Sequence, residues 1–107
     1  NESGSDTSLA YDSSQDLAQS TSFQNLAESV GADNDQCVSG QLHLFDPSST
    51  TFVKNFMSPT NNYDSGNNAQ VFYVGGYCNT TTAIDGVQFK FSSGNIDSGT
   101  FKLYGVS

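Results

Sequence analysis

Residues 69–78 read AQVFYVGGYC, ten consecutive residues without a charge and rich in β-branched and aromatic side chains. A run of that length and composition reads as a strand covered on both faces. The paired Gly75 and Gly76 mark a bulge or a close approach of another part of the molecule. A strand needs neighbours, so the rest of the chain must supply them.

Several shorter runs offer themselves. In VSGQLHLFDPSSTT, Val38, Leu42 and Leu44 fall on one side and Gln41 and His43 on the other. Asp46, Pro47, Ser48 and Ser49 close that run with proline at a turn position. TTFVKNFM sets Phe52, Lys54 and Phe56 against Val53, Asn55 and Met57, with apolar residues on both faces. SPTNNYDSGNN reads as a polar loop. Near the end, Val87, Phe89 and Phe91 alternate with Gln88 and Lys90, and Phe101 and Leu103 alternate with Thr100, Lys102 and Tyr104. Between those two runs, SSGNIDSG supplies Gly94 and Asn95 for positive φ, so the pair reads as a wide hairpin. Five or six short strands with frequent turns read as an all-β, antiparallel β-sandwich of jelly-roll character.

At 107 residues the chain holds one domain. Residues 1–20 form a long polar, acidic N-terminal arm, and residues 21–107 a single β-sandwich domain. Only 35% of the residues are apolar, but 12% are aromatic, which suits short strands joined by polar turns. Residues 21–31 are ambiguous. Phe23, Leu26, Ala27 and Val30 share one helical face, with Thr21 and Gln24 as a capping box and Gly31 as a C-cap.

The net charge is −8, and residues 1–40 hold seven acids and no Lys or Arg. Phosphate contacts need a basic patch, so nucleic acid is not an expected partner. An anionic membrane surface is not expected either, and no apolar run approaches spanning length. The acidic half reads as a solubility device. The chain lacks an initiator Met and a secretory signal, so it reads as a processed or partial polypeptide. Cys37 and Cys78 are too few for a disulfide framework and stand either as one bridge or as two thiols.

Chemistry is sparse. His43, the single histidine, lies beside Asp46 on the polar side of a strand and reads as a surface residue. Cys37 has no base or cation beside it to make a thiolate. Asp46, Asp85 and Asp97 sit in turns, where a carboxylate caps backbone N–H groups. Asp33, Asn34 and Asp35 are oxygen-rich but lack the spacing of a calcium loop. The triplets Asn1-Glu2-Ser3 and Asn79-Thr80-Thr81 match the glycosylation pattern. The expectation is therefore no catalytic residues, no metal and no cofactor. The polar loop around Tyr63 is the one candidate binding surface, formed by Asn61, Asn62, Tyr63, Asp64 and Asn67.

The segments SGQLHLFDPSSTT, GGYCNTTTAID and TTAIDGVQFKFSSGNIDSGTFKLYGVS carry a resemblance. They resemble the C-terminal portion of virion structural proteins of tailed bacteriophages of the marine, cyanophage type. The likeness spans about residues 38–107 and is densest over 80–107. It implies β-sandwich strands and no catalytic signature. It also implies a strand over SFQNLAES, paired across GADNDQ with CVSGQLHLF, against the local helical signal. The implied role is a non-enzymatic module of a fibre, spike or appendage, or a head decoration (cement) protein. The implied partners are copies of itself (a homotrimer in a fibre), other virion proteins and, for an appendage, a host-surface glycan or protein. The implied location is the particle surface, after assembly in the bacterial cytoplasm. A carbohydrate-binding, lectin-like adhesion module is the alternative.

Overall fold

The computed structural model describes residues 8–106. The triplet at Asn1 and the first part of the expected arm lie outside them. The described residues form one open antiparallel sheet with almost no helix. Its strands are β1 (Val38–Gly40), β2 (His43–Leu44), β3 (Lys54–Tyr63) and β4 (Ala69–Cys78). The chain is thus all-β.

β3 is the central strand, with β4 along one edge and β1 and β2 in succession along the other. Val38 faces Asn62 and Leu44 faces Phe56, so β1 and β2 share one register against β3. Backbone bonds from Tyr63 N to Cys37 O, Gln41 N to Pro59 O and Phe45 N to Asn55 O continue that register across the gap. The break lies at Gln41–Leu42, opposite Pro59. A proline brings no N–H, so the carbonyl of Gln41 loses its ladder donor. The hydroxyl of Ser58 replaces it, donating to Gln41 O at 2.7 Å.

β3 and β4 pair without interruption from Lys54↔Cys78 to Tyr63↔Ala69. Asp64 N donates to Asn68 O and Asn67 N to Asp64 O, which closes a three-residue loop at Ser65, Gly66 and Asn67. Asn67 takes φ 60°, the left-handed position this loop type requires. The carboxylate of Asp64 accepts from the N–H groups of Gly66 and Asn68, each at 2.8 Å.

Three expectations are corrected, and one, for Gly75 and Gly76, is decided between its two alternatives. SPTNNYDSGNN is not a loop: its first six residues complete β3, because pairing on both sides overrides the weak strand preference of Pro and Asn. Gly75 and Gly76 form no bulge. Gly76 is a close approach, since a Cβ there would stand 3.0 Å from the Phe56 ring. Residues 21–30 are neither helix nor a strand paired with CVSGQLHLF. Leu26 O accepts from the Thr60 hydroxyl and Glu28 O from Asn62 Nδ2 at 2.8 Å, which removes the carbonyls a helix would use. Ser29 turns to φ 54° and Val30 bridges to Asp64. The terminal hairpin is absent as a ladder. Phe89 and Phe101 still stack, with ring centroids 5.3 Å apart, so the two runs fold back on each other without strand bonds. A two-stranded ribbon without a third strand is marginal in water.

The arm carries a short 3-10 turn at Ser13–Gln15, capped by Asp12, whose carboxylate accepts from Ser14 N. Asn25 Nδ2 donates to Gln15 Oε1 at 2.6 Å, tying the arm to the next segment. Lys90 Nζ lies 4.0 Å above the Phe23 ring and ties that segment to the C-terminal run.

Candidate functional site

Alternation gives the sheet two faces. The inner face carries Lys54, Phe56, Ser58, Thr60 and Asn62 from β3, and Gln70, Phe72, Val74, Gly76 and Cys78 from β4. Its buried residues are polar. Lys54, Ser58, Thr60 and Asn62, with Asp64 just beyond the strand, are all buried, and no apolar side chain is buried among the described residues. Lys54, Thr60 and Asn62 each face an irregular segment laid across the sheet. Lys54 is fully enclosed, and its ammonium donates to Ser49 O at 2.6 Å and to Thr80 O at 3.2 Å. Thr60 and Asn62 hold residues 26–28 as described above. The row works as a set of side-chain donors that fasten loops lacking a ladder of their own.

Two oxygens on this face lack a donor. Asn62 Oδ1 and Gln70 Oε1 are buried without a hydrogen-bond partner, on residues that pair across β3 and β4. Each oxygen costs about 1–3 kcal/mol when desolvated and unpaired.

The outer face is the candidate functional surface. It presents Phe45, His43, Met57, Pro59 and Asn61, and beside them Val71, Tyr73, Gly75 and Tyr77. Phe45, Met57, Val71, Tyr73 and Tyr77 are exposed there, Tyr73 at 77%. Pro59 stands opposite Tyr73 and Asn61 opposite Val71, so an apolar stripe crosses the sheet diagonally, with no charged side chain among the residues named. A shallow depression at Ser39, Gln41, Pro59, Asn61 and Val71 lies beside it. Flat, apolar and aromatic surface of this kind is suited to lying against another surface.

The candidate loop residues separate. Asn61 is exposed on the outer face, Asn62 is buried on the inner face, and Tyr63 is half-buried at the end of β3. Asp64 is buried and Asn67 is exposed in the turn. The structure therefore does not gather these five into one surface. Asp64 caps the hairpin, and its carboxyl is held below the ordinary value of 3.8, chiefly by the Asn68 N–H. His43 Nε2 lies 3.0 Å from Gln41 Oε1, and Asp46 closes its turn through Ser49 N at φ 46°. Among the described residues no three metal-ligating side chains converge, and no helix is long and apolar enough to cross a membrane.

Cys37 and Cys78 are free thiols. Cys37 pairs with Tyr63 at one end of β3, and Cys78 with Lys54 at the other end, on the opposite edge. Nine steps of strand separate those ends, about 30 Å at 3.3 Å per residue.

Sequence reasoning missed the outer face because it placed residues 58–63 in a loop. The available signal was the ten-residue match of 54–63 and 69–78 about the turn DSGNN. Compared with protein-family models, with curated proteins and with solved structures, the chain finds no match in any of the three.

Proposed function

We propose that this protein is a non-catalytic structural module that works by associating with copies of itself. The observation that carries this reading is the sheet with no buried apolar side chain and an apolar outer face. A chain of 11.4 kDa that folds alone exposes about 5,800 Å². This one exposes 8763 Å². Part of the excess belongs to the arm, where Leu9 and Tyr11 are bare, and part to the outer face. The difference, about 3,000 Å² on one chain, is at least the roughly 1,000–2,500 Å² that an obligate interface takes from each partner.

The sequence resemblance gives the module a setting: the surface of a tailed-phage virion, in a fibre, spike or appendage or as head decoration, assembled in the host cytoplasm. The sandwich of jelly-roll character then belongs to the assembly, in which copies complete one another's sheet. The measurement that tests the reading is the native mass at about 50 μM subunit. A stable dimer or trimer is expected, and a monomer with a cooperative unfolding transition overturns it.

The exposed pair Tyr73 and Tyr77 favours a second reading, a carbohydrate-binding adhesion module whose aromatic rings stack on sugars. Glycan-array binding by a monomeric protein, lost in Tyr73→Ala, would support that reading over the first.

A further inference from the structure

Among the described residues the second edge of β4 has no partner strand, and this edge carries an inference that rests on self-association and specifies how it happens. The odd residues of β3 send their backbone groups toward β1 and β2, as Tyr63–Cys37, Pro59–Gln41 and Asn55–Phe45 show. In an antiparallel pair the even residues then bond to β4. Val71, Tyr73, Gly75 and Tyr77 therefore point their N–H and C=O groups away from the sheet. This edge is ten residues long, about 33 Å. It has no charge, no proline and no bulge, the usual devices that keep an edge from pairing. The opposite edge is protected by brevity, since β1 and β2 have three and two residues.

The same chain holds a segment with the complementary need. Thr100–Tyr104 alternates as a strand does, yet among the described residues no backbone group from 85 to 106 bonds to another. Phe101 is exposed and Leu103 is 100% exposed. Phe89 and Phe91, in the companion run, are more covered.

We propose that residues 100–104 of a second copy add to the free edge of β4 as a fifth strand. Main-chain bonds supply affinity, and Phe101 and Leu103 supply register by falling on one face. The contact joins two different surfaces, so it runs head to tail and closes into a ring when the rotation allows, as in a trimer.

The test compares native masses of the full chain, Tyr73→Pro, Leu103→Asp and an equimolar mixture of the two variants. Proline at 73 removes an N–H that points outward, so the β3–β4 ladder keeps its bonds. Leu103 is fully exposed in the single chain, so Leu103→Asp leaves the fold of the single chain intact. Strand content by circular dichroism checks both. The expected result is an oligomer for the full chain and 11.4 kDa for each variant. The mixture should form a 1:1 dimer and nothing larger, since one partner keeps the edge and the other keeps the strand. An oligomeric Leu103→Asp, or an oligomeric Tyr73→Pro, overturns the strand-addition inference and leaves self-association standing. A mixture that stays monomeric also overturns it. A monomeric full chain overturns both.

Discussion

Pro59 occupies a place where a sheet rarely tolerates proline, the middle of a strand paired on both sides. Only one ladder donor is lost, and the hydroxyl next to it in the chain replaces that donor through the 2.7 Å bond from Ser58 to Gln41 O. The two residues should behave as a unit. Ser58→Ala is expected to cost about 1 kcal/mol by denaturant unfolding. In a Pro59→Ala background the restored N–H serves Gln41, and the same substitution should cost close to nothing, a double-mutant cycle with a clear sign. Asp64 is the other residue on which local geometry depends. Its carboxylate accepts from Asn68 and Gly66, so its folded pKa lies below 3.8. A depressed carboxyl pKa stabilises the fold above the unfolded value and loses that contribution as pH falls through the folded one. The hairpin tip should therefore loosen below about pH 4, read as a fall in the amide protection factors of Gly66 and Asn68, that is, exchange relative to the intrinsic rate at each pH. In Asp64→Asn those protection factors should already be low at neutral pH and change little with acid.

At the scale of elements, the β3–β4 hairpin is the structure's frame, and the two glycines of β4 divide its faces. Gly76 lies beneath the Phe56 ring, where a Cβ would stand 3.0 Å from the ring and press it aside, whereas a Cβ at Gly75 meets only Phe56 O, at 3.9 Å. Gly76→Val should cost about 1–3 kcal/mol through displacement of the ring. Gly75→Val should be neutral or stabilising by up to about 1 kcal/mol, since valine favours a strand. Thermal unfolding of the two variants separates the roles. The pattern of AQVFYVGGYC announces β4 because nothing in it competes with a strand, but the expected cover on both faces is wrong, since Val71, Tyr73 and Tyr77 are exposed on the outer one. The run VSGQLHLF likewise announces strand, which it forms as β1 and β2, but not its partner, which is β3 and not residues 22–29; the Asp46–Ser49 turn follows as read. The second half of β3 was hidden, because Ser58, Pro59, Asn61 and Asn62 each favour turns in isolation, and only the partners on both sides make them a strand. The C-terminal runs failed in the opposite sense. Their alternation is a strand's, but alternation states a preference and does not supply a neighbour. The stacking of Phe89 on Phe101 is what remains of that pairing within one chain. The outer face was legible in Tyr73 and Tyr77 only once Pro59 and Met57 were placed opposite them and their neighbours.

The whole molecule is long for its length of chain. Its radius of gyration is 15.6 Å and its extents are 49 × 30 × 28 Å, against about 13 Å expected for a compact chain of this size. No apolar side chain is buried among the described residues, so under the proposed self-association stability should depend on subunit concentration. Tm is expected to rise on the order of 5 °C for each tenfold increase in protein, which scanning calorimetry over two decades would show. A Tm that does not move with concentration would mean that the single chain is stable by itself. The charge of −8 opposes close approach of copies; moderate salt should therefore strengthen association by screening it. The two thiols have a consequence of their own. They stand at opposite corners of the sheet, too far apart to meet within one chain, so each subunit is, in a polymer chemist's terms, a bifunctional monomer. Oxidation cannot close such a unit on itself. It can only extend a chain of subunits or stitch a ring already formed, and the products would record the order in which the copies stand.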